Sequence, residues 1–104
     1  MYQKIIAYLF VWICLVSSAN ADQMKQGKAV FEGAGMCASC HVLKAAGAVG
    51  NVGPSFDVLK PTIDVVKRAV SEGIGIMPAF GADGILTPKE IEDVSFYVAN
   101  SAGK

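Results

Sequence analysis

The sequence predicts a small all-α domain of three to four short helices. Three observations carry that prediction. Three stretches repeat apolar residues at helical spacing and carry helix-start signals. No run alternates apolar and polar residues over the length of a convincing strand. Glycines and prolines break the remainder into short segments. A chain of 104 residues has room for one such domain.

The apolar fraction of 53% overstates the core, because much of it lies at the N-terminus. Lys4 is followed by IIAYLFVWICLV, an unbroken apolar run from Ile5 to Val16, and then by SSANA, with Ala19 and Ala21 in A-x-A spacing. A charged start, a short apolar stretch and small residues at the end describe a secretory leader, with cleavage expected after Ala21. The run is short of the ~20 apolar residues that a membrane-spanning helix needs, so no stable membrane insertion is expected after cleavage. Cys14 would be the lipidation point of an anchored variant, but the bulky Trp12 and Ile13 before it fit a lipoprotein signal poorly. The expected division is therefore a leader at 1–21 and a single domain at 22–104.

That domain keeps eight Lys/Arg against nine Asp/Glu, a formal charge of −1. Nucleic-acid binding calls for a concentrated basic face, and anionic membranes call for a polybasic segment; neither is present. A domain of this size has a thin core and commonly relies on a staple, metal or cofactor.

The first helix is expected over Asp22 to Gly33, with Asp22 as cap and Gly27, Val30 and Phe31 on one side. Gly27 costs about 1 kcal/mol against alanine within a helix, so its place on the apolar face implies close approach of another backbone or ring. The second helix is expected over Thr62 to Gly73. Thr62 is its cap, Asp64 suits the positive end of the dipole, and Ile63, Val66 and Val70 form the inward stripe beside Ala69. Gly73 stands where a left-handed terminating residue belongs. The third helix opens on TPKE: Thr87 caps, Pro88 takes the first helical position and Glu90 completes a capping box. Ile91, Val94, Tyr97 and Val98 form its buried face. The intervening AAGAVGNVGPSFDVL and IGIMPAFGADGIL read as loops, and loops are where a ligand is gripped.

The chemistry concentrates in GAGMCASCHVLKAAG. Cys37, Cys40 and His41, the only histidine, fall within five residues. A zinc site needs about four ligands, and no second cluster exists to supply them. A thioredoxin-like pair needs a βαβ context, which is missing. The remaining reading is C-x-x-C-H, the attachment signature of c-type haem. Two thiols add across the two vinyl groups of one porphyrin edge, and the next residue, His41, is held beneath the iron. An export leader agrees with this, because exported chains are where the attachment is made. The cofactor carries the chemistry and supplies an apolar centre, so the protein needs only one short segment to tether it. Small residues around the turn let the backbone lie close to the ring.

An open sixth position on the iron permits gas or peroxide chemistry, and a filled one favours electron transfer. With one histidine, bis-histidine ligation within the chain is excluded. Met36 adjoins the attachment edge, and Met24 lies on the segment leading into it. Met77 follows His41 by 36 residues, a separation that lets the chain wrap round the haem and return from the other side. Pro78 stiffens its backbone, and Ile74, Ile76 and Phe80 are placed to shield the thioether. Met77 is therefore the expected second axial ligand. A His/Met pair raises the reduction potential relative to two nitrogen ligands.

These features resemble the small class I c-type cytochromes across the whole of 22–104. CASCH matches the haem attachment motif, VGPSF the Gly-Pro loop and IMPAF the methionine-ligand loop. Gly27 and Phe31 match the N-terminal helix pattern, and Tyr97 the aromatic of the C-terminal helix. The resemblance implies the cytochrome c fold, with the helices wrapped round one covalently attached haem. It implies that the first and last helices cross at Gly27 and that the Pro54 carbonyl accepts a hydrogen bond from the His41 ring. The lysine-rich docking face of mitochondrial cytochrome c is missing. AAGAVGNVGPSFD with MPAF is, more loosely, similar to cytochrome subunits serving periplasmic molybdenum sulfite dehydrogenases.

The expected function is single-electron transfer in the periplasm, or in a thylakoid lumen if the source is photosynthetic. Cys37, Cys40, His41 and Met77 hold the haem, Pro54 supports His41, and no residue is catalytic. The expected partners are a redox donor and acceptor: a periplasmic dehydrogenase, a terminal oxidase or a reductase. The protein is expected as a monomer or weak dimer, docking through a small apolar patch with weak salt dependence. Two alternatives stand beside this. One is a dedicated cytochrome subunit of a dehydrogenase complex. The other is a gas- or peroxide-binding haem protein whose Met77 departs, against which the lack of any distal His or Arg near Met77 argues.

Overall fold

The computed structural model describes residues 19–104. The expected leader, 1–21, lies outside the described residues except for 19–21, which are helical and run on into the first helix. The elements in order are α1 (19–32), β1 (Val42–Leu43), β2 (Ala48–Val49), α2 (Phe56–Leu59), α3 (Ile63–Glu72) and α4 (Pro88–Ser101). The expected all-α architecture of three to four helices is the one observed.

Because 19–21 are already helical, Asp22 lies within α1 and does not cap it, contrary to the sequence reading. Ala19, Asn20 and Ala21 contain no breaker, so the helix runs through them. Its apolar face is as expected: Val30 is 8% exposed and Phe31 fully buried. α3 carries the expected cap, with the Thr62 hydroxyl accepting from the Val65 N–H at 3.3 Å. Val66 and Val70 point inward, but Ile63, at the first helical position, lies beyond the core edge and is 37% exposed. Gly73 ends α3 at φ 73° and ψ 161°, which is a glycine-only region and not the left-handed helical basin the sequence suggested.

α4 begins on the full capping box. The Glu90 N–H donates to the Thr87 hydroxyl at 3.2 Å, and the Thr87 N–H donates to the Glu90 carboxylate at 2.9 Å. Ile91, Val94, Tyr97 and Val98 are all buried. α4 packs against α3, with Lys67 paired to Glu92 between them. It meets α1 at Gly27, where an added Cβ would strike the Asp93 carbonyl and lie 2.5 Å from the Tyr97 Cβ. The Phe31 ring seals this crossing edge-on to Tyr97, with centroids 5.8 Å apart and planes at 65°.

The segment expected as a loop between the first two long helices holds more order than its composition suggests. β1 and β2 pair antiparallel, Val42 with Val49 and Leu43 with Ala48, through a turn closed by Gly47 at φ 65°. The strands are two residues each, too short for a periodic signal, yet they bury Leu43 and Ala48. α2 follows as a single turn and buries Phe56.

Candidate functional site

Cys37 and Cys40 lie on a 3-10 turn directly after α1. α1 unwinds through Gly33 and Gly35, whose N–H groups return to the Ala29 and Val30 carbonyls, and Met36 enters the turn at φ 51°. The Cys40 and His41 N–H groups both donate to the Cys37 carbonyl, at 3.2 and 3.0 Å. This turn holds the two half-buried thiols and the buried imidazole on successive positions of one rigid segment.

The chain after β2 folds back over that segment. A Cβ at Gly50 would lie 2.7 Å from the Cys40 backbone, and the Gly53 N–H donates to the Cys40 carbonyl at 2.7 Å. A Cβ at Gly53 would come within 2.8 and 2.9 Å of the two His41 ring nitrogens. Pro54 then presents its carbonyl to His41 Nδ1 at 2.7 Å. Nδ1 is thereby the ring nitrogen that carries the proton, and Nε2 is left with its lone pair. The hydrogen bond expected from the family pattern is present.

Phe56 adds a contact that the sequence reading did not anticipate. Its ring stacks on the His41 imidazole, with centroids 4.2 Å apart and planes 17° from parallel. The only signal for it was an aromatic residue two positions after Pro54, which by itself reads as core.

These residues form one wall of a cavity of about 360 Å³. That volume is within the ordinary range for cofactor pockets. Val66 and Val70 of α3 and Val94 and Val98 of α4 line it, with Phe80 and Met77, and among the described residues His41 is the one titratable side chain besides the cysteines. Such a wall fits a porphyrin face. Among the described residues, no three His, Cys, Asp or Glu side chains converge as a metal cluster. Two thiols and an imidazole that line one apolar cavity without converging fit a flat macrocycle tethered at its edge better than a bare ion. The Cys37 thiol is pushed up to about 11, chiefly by burial. That is the opposite of the shift that activates a redox thiol.

Met77 lines the same cavity, half-buried and packed against the core. It closes a tight turn with Ile74, its N–H donating to the Ile74 carbonyl at 2.9 Å. Of its three expected shields, Phe80 is buried, while Ile74 and Ile76 stand at the rim, 68% and 86% exposed. Met24 packs on the core from α1 and does not line the cavity, and Met36 lines it from the attachment side. Cys37, Cys40, His41, Pro54 and Met77 are thus brought to one cavity.

The model of the family described as cytochrome c oxidase, cbb3-type, subunit III matches residues 22–98. A cytochrome c6 of Gloeothece citriformis is 35% identical, over 96% of this chain and 88% of that protein. A cytochrome c6 of Thermostichus vulcanus is 32% identical, over 90% of this chain and 84% of the relative. Among solved structures, the c-type cytochrome SorU from Sinorhizobium meliloti matches with a TM-score of 0.75 and 46% identity, covering 81% of this chain and 95% of that one.

Proposed function

The chain belongs to the small class I c-type cytochromes, and from that membership and the cavity we infer how it works. The cofactor is one haem c, attached through Cys37 and Cys40, and the protein is a single-electron carrier rather than an enzyme. It exchanges electrons with redox partner proteins. When bound, the haem supplies a one-electron iron couple.

His41 binds the iron through Nε2 and Met77 through its thioether. The observation that carries this is the His41 Nδ1 to Pro54 carbonyl contact at 2.7 Å, in a cavity that Met77 also lines. That contact fixes the tautomer and raises the basicity of the nitrogen left for the metal. The apolar walls would leave few protein dipoles to reorganise when the charge of a bound haem changes.

The protein works in the periplasm, or in a lumen if the source is photosynthetic, after a leader is removed at Ala21. N-terminal sequencing of the exported protein tests the cleavage, and among the described residues no helix is long and apolar enough to cross a membrane. The donor is a periplasmic dehydrogenase and the acceptor a terminal oxidase or reductase. The looser similarity to sulfite dehydrogenase cytochrome subunits makes such an enzyme the first donor to try. Co-purification with it would mark a subunit, and an isolated monomer a shuttle.

The experiment is optical spectroscopy of the purified holoprotein beside Met77→Ala. The wild type is expected to show the methionine-to-iron charge-transfer band when ferric and to ignore CO when ferrous. The variant is expected to lose the band and bind CO. A wild type that binds CO would move the gas- or peroxide-binding reading ahead.

A further inference from the structure

We propose that Phe56 is a positioning residue for His41, and that its stacked ring fixes the plane in which the imidazole is presented to the iron. The proposal rests on the reading that His41 is an axial ligand. A hydrogen bond at Nδ1 fixes one atom of the ring. The ring can still swing about that contact, because the second side-chain torsion of histidine has a broad well. A flat partner removes that freedom. Phe56 lies 17° from parallel at 4.2 Å, whereas its contact with Phe31 is an edge at 6.3 Å. The closer and flatter of its two aromatic contacts is therefore with the ligand.

Phe56 is itself held in place. It is 9% exposed and leads α2. The next residue, Asp57, accepts from the Lys44 N–H at 2.9 Å and from the Gly103 N–H at 2.8 Å, which anchors that turn on two sides. Behind it the fully buried Phe31 meets Tyr97 edge-on. A line of rings thus runs from the α1–α4 crossing to the imidazole, and of these rings Phe56 is the one stacked on the ligand. Leucine at position 56 would fill much of the same space without offering a flat face.

The holoprotein is compared with Phe56→Leu, Phe56→Tyr and Phe31→Leu. Three properties are read: ferric EPR g-values, exchange of the His41 Nδ1 proton by NMR, and thermal stability. Phe56→Leu is expected to shift the g-values and to speed the exchange about fivefold, the scale of one lost aromatic contact. Phe56→Tyr keeps the face and is expected to keep both wild-type values. Phe31→Leu removes core without touching His41 and is expected to lower the melting temperature alone. If Phe56→Leu merely melts earlier, with g-values and exchange unchanged, Phe56 is core filling and the proposal falls. Phe56→Met, read in the same way, replaces Phe56→Leu if that variant does not mature. Ligation is checked separately in the wild type: a His41 ring without paramagnetic shifts in the ferric state would overturn it, and the proposal with it.

Discussion

Gly27 of α1 lies so close to α4 that an added Cβ would sit 2.5 Å from the Cβ of Tyr97 and against the Asp93 carbonyl. Two effects oppose each other when Gly27 becomes alanine. Helix propensity favours alanine by about 1 kcal/mol. The clash is with backbone, which cannot rotate away, and forcing a methyl into a packed contact typically costs about 1–3 kcal/mol. Overpacking is expected to win because both helices are anchored in one buried core. Gly27→Ala should lower the unfolding free energy of the holoprotein by up to about 2 kcal/mol in denaturant titration. A variant as stable as the wild type would show that the helices can slide apart.

Gly73 governs the methionine loop in a different way. Its φ of 73° with ψ of 161° is closed to L-residues, and a Cβ there would lie 2.7 Å from the Met77 carbonyl. Gly73→Ala therefore has to move the turn that carries Met77, at a strain of about 1–3 kcal/mol. The expected result is a weakened charge-transfer band and partial CO binding in the ferrous protein, while haem attachment persists. An unchanged spectrum would mean that α3 can absorb the shift without moving Met77.

The capping box of α4, the cap of α3 and C-x-x-C-H were legible because each is a signal held within a few consecutive residues. The inward faces of α1 and α4 were legible because their apolar residues recur at helical i, i+3 and i+4 spacing. What the sequence hid depends on tertiary contacts. Ile63 reads as apolar stripe, but the first helical position of α3 projects past the core. The β1–β2 pair is too short to alternate. The stack of Phe56 on His41 needs the chain to return over Cys40 through Gly50 and Gly53, and no local pattern announces that path. Ile74 and Ile76 read as shields by their apolarity, yet they stand at the cavity rim.

Lys60 is a further case that local pattern misses. It ends α2 in the left-handed region, at φ 46° and ψ 59°, where glycine is usual. The left-handed cost for a residue with a Cβ is about 1–2 kcal/mol. Glycine loses roughly 0.5–1 kcal/mol more chain entropy on folding. The balance favours Lys60→Gly by about 0.5 kcal/mol, and its midpoint of denaturation should rise. A fall would show that the Lys60 stem, which lies against Gly103, contributes more than the strain.

Asp57 makes the fold sensitive to acid. The Gly103 and Lys44 N–H groups hold its carboxyl below the ordinary 3.8. A group depressed in the folded state contributes stability that is fully present above its unfolded value and lost as pH falls through its folded one. The melting temperature of Asp57→Asn should therefore lie below wild type at neutral pH. The two curves should converge as pH drops below about 4. Curves that stay parallel would mean that the two N–H contacts do not depend on the charge.

The last prediction concerns how partners meet the haem. Among the described residues, no Lys, Arg, Asp or Glu lines the cavity, and its rim carries Met36, Val52, Val65, Ile74 and Ile76, each more than half exposed. A rim of that kind contributes apolar contact to an encounter and little steering, and the formal charge of residues 22–104 is only −1. Charge-steered association changes by about 10-fold or more across physiological salt. Here, electron transfer to a small neutral acceptor and to a protein partner should both change by less than about twofold over the same range. Ile76→Lys provides the contrast, because it places a charge at the most exposed rim position and leaves the cavity wall intact. Its rate with an acidic partner should become salt-dependent, with its spectrum unchanged. A wild-type rate that already falls steeply with salt would place the docking face elsewhere, on a charged surface away from the rim.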